Sequence, residues 1–230
     1  GTRPSDRYDK SNMASLYDCS VEAELLTGMR LARKAIGRGD LVVIPTDTVY
    51  GLAADAFNPD AVAKLIAAKG RTRQSPPPVL IPGIPTLDAL AEGVPDEVRA
   101  LVAKFWPGGL TVIVAANSSL AWDLGDTKGT VALRMPDNRI ALELLSETGP
   151  LAVSSANLTE EPAAASARAA EEMLGESVEV YLDGGPASTT ASTIVDATAL
   201  ASTEGKLRIV REGAISSDEI RAVVGPDRCE

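Results

Sequence analysis

Val42 to Ala56 reads "VVIPTDTVYGLAADA". A run of β-formers reaches Pro45, which brings no backbone donor. Thr46, Asp47, Thr48 and Tyr50 follow, four polar side chains within five positions, and Gly51 opens a second small apolar run. Two readings account for hydrogen-bonding groups at the end of a buried strand. One is an Asx-type turn with Tyr50 as a core residue whose hydroxyl is satisfied. The other is a pocket for a small polar molecule.

Working outward, "LVVIP" (Leu41 to Pro45) is a strand of the kind buried on both faces. Val21 to Ile36 carries apolar residues at helical spacing, and Gly37 with Gly39 stops it. "NPDAVAKLIAAK" reads as a helix capped by Asn58 with Pro59 in its first turn. In "PPPVLIPG" the prolines bar a regular central strand, so Val79 to Ile81 is the extended part. "TLDALAEG", "PDEVRALVAKFW", "DNRIALELLSETG", "SARAAEEMLG" and "SSDEIRAVVG" read as helices. "LTVIVAA", "TVALRM", "PLAVS", "VEVYLDGG", "ASTIVDA" and "KLRIVREG" read as strands, and "NSSLAWDLGDTKG" as a loop. Strands alternate with helices, so the class is α/β: one layered domain with a mixed sheet. Residues 1–15 read as an extension with Met13 as a candidate start, residues 16–225 as the domain, and residues 226–230 as a tail.

Composition removes several chemistries. The chain of 230 residues has no histidine, which excludes Ser-His-Asp catalysis and His-ligated zinc. Its net charge of −10 and 3% aromatics argue against a protein that coats nucleic acid. No apolar window approaches a membrane span, and the opening residues are not of the secretory kind, so the expected location is cytoplasmic. Cys19 and Cys229 form no metal-spaced pair; a reducing compartment and a bridge between the termini both accommodate them.

Polar residues gather where strands end, the usual ligand position in open α/β sheets. "VSSAN" (Val153 to Asn157) lies too early to be a simple cap for the helix that follows. Lys69, Arg71 and Arg73 in "AAKGRTRQSPPP" are either a solvated basic helix end or a cationic loop that grips a polyphosphate. Arg134 closes an apolar strand, a place that suits a carboxylate or phosphate partner, and Arg211 repeats the placement. Neither G-x-x-x-x-G-K-[ST] nor G-x-G-x-x-G occurs, so a nucleotide would be held by scattered Arg, Lys, Ser and backbone groups.

In register, "PTDTVYGLAADA", "AKGR", "FWPGGLTVIV", "TVALRMPDN", "PLAVSSAN", "YLDGGP", "STIVD" and "VREGAI" resemble the YrdC-like family of threonylcarbamoyl-AMP synthases. The resemblance implies a single α/β domain whose twisted mixed sheet, flanked by helices, forms a deep concave cavity. It implies condensation of L-threonine, bicarbonate (or carbon dioxide) and ATP to threonylcarbamoyl-adenylate and pyrophosphate. Magnesium accompanies the ATP phosphates without a protein metal site. A partner complex then transfers the group to tRNA, which this chain alone does not hold strongly.

By position, the resemblance assigns Thr46, Thr48, Tyr50, Arg134, Ser155 and Ser192 to L-threonine. It assigns Lys69, Arg71, Ser75, Thr130, Asn157 and Arg211 to ATP, with Lys69 and Arg71 as the catalytic pair that neutralises leaving charge. Two departures stand out. Leu80 occupies the family's His position after the basic loop, and Glu160 replaces a glycine after Ser-Ala-Asn. The second domain of longer members is not expected here. The rival readings are a carbamoyltransferase-related domain, a non-catalytic RNA-binding module, and a metabolite sensor without turnover.

Overall fold

Val42, Val43 and Ile44 form strand β2 (Val42–Ile44), buried throughout. Their alternation feeds two separate apolar layers: Val42 and Ile44 face one side, Val43 the other. The computed structural model describes residues 15–230. Among them lie ten strands, with β1 at Ser15–Asp18, β3 at Gly51–Asp55, β4 at Val79–Leu80 and β5 at Leu110–Ala115. Strands β6 (Thr130–Arg134), β7 (Leu151–Ser155), β8 (Val180–Asp183), β9 (Thr193–Asp196) and β10 (Arg208–Arg211) complete one mixed sheet. Its order is β1-β8-β2-β3-β7-β4-β6-β5-β9-β10.

The helices are α1 (Glu22–Gly37), α2 (Pro59–Ala68), α3 (Ile84–Leu90), α4 (Asp96–Phe105), α5 (Arg139–Thr148), α6 (Ala167–Leu174) and α7 (Ser217–Val224). Their ends follow the sequence. The Asn58 side chain accepts from the backbone N–H groups of Asp60 and Ala61, with Pro59 opening α2. Asn138 caps α5, Ser166 caps α6, and Ser216 with Glu219 closes a capping box on α7. The α/β class, eight strands and the seven helices correspond to the sequence reading, and the apolar run opened by Gly51 becomes β3 through its antiparallel pairing with β2 and β7. Strand β1 has no counterpart in the sequence reading. "SLYD" is too short and too polar to show a period, and its parallel register with β8 at the sheet edge defines it.

Two layers cover the sheet. Buried residues of α1 (Ala32, Ala35, Ile36) and α5 (Ala141, Leu144, Leu145) pack on Val42, Ile44, Ala53, Leu151, Val180 and Leu182. The other face carries the larger core, with residues of α2, α3, α4, α6 and α7 against Val43, Leu52, Val79, Val112 and Leu133. Strand β4 runs between β7 and β6 but is only two residues long. The prolines before it cost the ladder donors and not acceptors: the Pro78 carbonyl still accepts from the Val153 N–H at 2.9 Å.

The extension expected over residues 1–15 falls outside the described residues except Ser15, which belongs to β1. Residues 226–230 are tied down: the Leu207 N–H donates to Arg228 and its carbonyl accepts from Glu230. Cys19 and Cys229 are free thiols, so no bridge joins the termini. No described helix is long and apolar enough to cross a membrane.

Candidate active site

Past the cover of α1 and α5, the same sheet face opens into a cavity of about 370 Å³. Period-two alternation decides what lines it. Val79, Val112, Leu133 and Val195 point into the larger core. Their neighbours Leu80, Thr111, Arg134 and Ile194 therefore point the other way, into the cavity. The first polar wall is the turn between β2 and β3. There the Thr48 N–H donates to Thr46 Oγ1 at 3.1 Å, and Thr46 Oγ1 donates to the Val49 carbonyl at 2.6 Å. The turn and the pocket thus coincide: threonine hydroxyls, with Asp47 turned outward, fold the chain and face the cavity.

Asp47 is the site residue that sequence reasoning passed over. Its carboxylate accepts from Arg134 Nη2 and from the Asp137 N–H. Arg134 is 6% exposed, and it also donates from Nε to the Gly108 carbonyl and from Nη1 to Thr48 Oγ1, each at 2.9 Å. A guanidinium has five N–H donors. Three are engaged, and one on each terminal nitrogen stays available for an anion. Burial lowers the Arg134 pKa, and the Asp47 charge opposes that shift. The signal in the sequence was the "TDT" triplet itself, an acid between two hydroxyls.

A backbone irregularity brings in the second guanidinium. Arg208 and Ile209 pair with Asp196 and Val195, but Arg211 pairs with Ile194, so Val210 is an extra residue, a β-bulge. Without it Arg211 would share the face of Ile209, which packs on the larger core. The bulge turns Arg211 to the cavity side. Its Nε and Nη2 donate to the Ser192 carbonyl at 3.1 and 2.8 Å. Ser192 Oγ lies 2.7 Å from Thr111 Oγ1. Burial lowers the Arg211 pKa, and its positive charge in turn lowers that of Arg134. Two part-desolvated cations on one cavity wall suit an anion.

Of the residues the resemblance assigned, Thr46, Thr48, Tyr50, Arg71, Arg134, Ser155, Asn157, Ser192 and Arg211 line the one cavity. Lys69, Ser75 and Thr130 do not. Lys69 caps α2 and is 1% exposed. Its ammonium donates to the carbonyls of Ser155 (2.6 Å) and Asn157, and reaches Ser155 Oγ (3.3 Å) and Asn157 Oδ1 (3.2 Å). It sits under the Ser-Ala-Asn loop, bonded to that loop's carbonyls, and is not among the residues lining the cavity. Burial first, and the Arg71 charge second, bring its pKa down to about 8.

Ser75 is on the exposed part of the basic loop. Thr130 shares the face of Arg134 but lies four residues back, roughly 13 Å along the strand, and its hydroxyl donates to the Thr127 carbonyl.

Two lining residues are already committed. The Tyr50 hydroxyl donates to the Gly185 carbonyl and accepts from the Gly184 N–H at 3.1 Å. Burial and the Asp183 carboxylate push its pKa up to about 12. Asn157 Nδ2 donates to the carbonyls of Leu158 and Glu161, both at 2.8 Å. Arg71 differs. It is exposed at the rim and makes no side-chain hydrogen bond or ion pair among the described residues. Thr111, Ser154, Ala191 and the apolar Pro76, Leu80 and Ile194 are also part of the lining.

The chain has counterparts among known proteins. Residues 34–213 match the Sua5–YciO–YrdC family model, described as telomere recombination. A Mycobacterium tuberculosis protein provisionally named a threonylcarbamoyl-AMP synthase is 46% identical over 216 residues, 94% of this chain and 97% of its own. The threonylcarbamoyl-AMP synthase of Bacillus subtilis is 36% identical over 197 residues, 85% of this chain but 56% of its own. The crystal structure of Pyrococcus abyssi Sua5 complexed with L-threonine superimposes with a TM-score of 0.82 at 32% identity, covering 94% of this chain and 62% of that one.

Proposed function

The chain belongs to the Sua5–YciO–YrdC family, and from that premise we propose that it is an L-threonylcarbamoyladenylate synthase acting in the cytoplasm. The observation that carries this reading is the meeting of Thr46, Thr48, Arg134, Ser192 and Arg211 in one cavity with Arg71 free on its rim. An amino acid fits the depth, where two cations and several hydroxyls are fixed before it arrives. A triphosphate fits the rim, where the Arg71 guanidinium is exposed and makes no side-chain bond among the described residues.

Arg134 offers its two spare N–H donors end-on to the threonine carboxylate, a bidentate contact. Thr46, Thr48 and Ser192 surround the amino and hydroxyl groups. The threonine nitrogen bonds to the carbon of carbon dioxide and releases a proton to solvent. The resulting carbamate oxygen bonds to the α-phosphorus of ATP, the α–β anhydride bond breaks, and pyrophosphate leaves. Such transfers depend chiefly on alignment and charge neutralisation, which Arg71 and Arg211 supply.

Magnesium would enter with the triphosphate, held by its phosphates and not by the cavity lining. The cavity lining, guanidiniums, hydroxyls and amides, contains no carboxylate, and among the described residues no group of three Asp, Glu, Cys or His side chains converges. When bound, it would neutralise phosphate charge. The product would pass to the partner proteins that modify tRNA.

The test is pyrophosphate release from ATP with bicarbonate, with and without L-threonine. Release that requires threonine supports the synthase. Release without it, or none with all three substrates, ends the reading. Arg134→Ala should raise the threonine requirement about tenfold or more, because a charge-assisted pair is worth about 1.5–3 kcal/mol.

A further inference from the structure

Lys69, Arg71 and Arg73 alternate along the basic loop, but the fold gives them different work. Lys69 is anchored beneath the Ser-Ala-Asn loop. Arg73 is anchored on the opposite side, to the β5–β6 loop. Its Nη1 and Nη2 donate to the two oxygens of Asp123 at 3.1 and 2.7 Å, a bidentate pair, and its Nε lies 3.6 Å from Asp126. The backbone joins in: the Asp126 N–H donates to the Arg73 carbonyl at 2.7 Å. Gly125 permits that approach, since a Cβ there would lie 2.8 Å from the same carbonyl. The β5–β6 loop is itself fixed, with Leu124 in the core and the Trp122 ring stacked on Phe57 at 5.3 Å and 25°. Arg71 thus hangs between two fixed points.

We propose that residues 122–126 form a strap whose Asp123–Arg73 clasp holds Arg71 over the cavity for a polyphosphate. Asp123 and Trp122 are positioning residues, and Arg73, despite its charge, is an anchor and not a phosphate ligand. The choice of ATP as the polyphosphate rests on the synthase reading; the clasp does not.

The proposal has an unusual sign. Removing an acid near a phosphate site strengthens anion binding if only charge matters. A positioning role predicts weakening. Asp123→Asn should raise the KM for ATP roughly fivefold, the scale of a well-formed exposed pair, and leave the KM for threonine within about twofold. Arg73→Gln should match it. Trypsin supplies a readout free of activity: cleavage after Arg71 and Arg73 should quicken roughly fivefold in Asp123→Asn. Trp122→Leu, which leaves every charge in place, should shift both readouts the same way.

An unchanged or lower KM for ATP in Asp123→Asn overturns the proposal, as does Arg73→Gln weakening ATP use while Asp123→Asn does not. Unaltered tryptic cleavage overturns it too, whatever the activity. If the parent protein shows no threonine-dependent turnover, the synthase reading fails by itself, and the proteolysis still decides the clasp.

Discussion

Lys69 shows how far a single side chain's meaning depends on its surroundings. In the sequence it is one of three cations after a helix, and the expectation placed it on ATP. In the fold it is buried beneath Ser155 and Asn157 with its pKa lowered to about 8 from an ordinary 10.5. Between those two values the folded chain holds fewer protons than the unfolded one, so stability rises with pH there and has no slope from this group below about 8. The unfolding free energy of the wild type minus that of Lys69→Met should therefore grow between about pH 8 and 10.5. Parallel curves across that window would remove the assignment. Glu160, the departure from the family glycine, has a φ of 73°. The local backbone still takes the left-handed form that glycine adopts freely, and glutamate bears the strain. Leu80 at the family's His position lines the cavity as an apolar wall.

Elements were legible wherever local chemistry set them. Asn58 is a cap by composition alone, and α2 begins at it. The bulge at Val210 could not be read, because it is defined by the strand beside it, whereas β4 falls within the extended stretch Val79 to Ile81. The hairpin of β9 and β10 carries a sharper prediction. Gly213 lies so close to the backbone before β9 that a Cβ would stand 2.2 Å from the Ala191 carbonyl and 2.7 Å from that of Ser192. The second carbonyl also holds Arg211. Gly213→Ala should cost roughly 2 kcal/mol or more by overpacking, seen as a lower denaturation midpoint, and should raise the KM for threonine. A variant within about 0.5 kcal/mol of the parent would show that the approach is softer than described.

Across the whole molecule, a chain of net charge −10 gathers three arginines around one cavity. The surrounding acidity repels a triphosphate, while the cleft focuses attraction locally. Exposed charge is screened over about 10 Å at 0.1 M salt, and buried charge much less. If ATP meets exposed Arg71 and threonine meets buried Arg134, as proposed, raising salt from about 0.05 to 0.5 M should increase the KM for ATP severalfold more than that for threonine. Equal shifts would contradict the division between depth and rim.

The sequence by itself determined the α/β class, the capped helices, the buried strand at Val42 and most of the polar residues of the site, because caps, turns and periodicity act within a few residues. Only the tertiary structure decided that Asp47 partners Arg134, that a bulge turns Arg211 inward, and that Lys69 bonds to Ser155 and Asn157 and Arg73 to Asp123 while Arg71 makes no side-chain bond among the described residues. Those outcomes come from contacts between residues 19 to 88 positions apart, where burial and geometry, not residue type, assign the role.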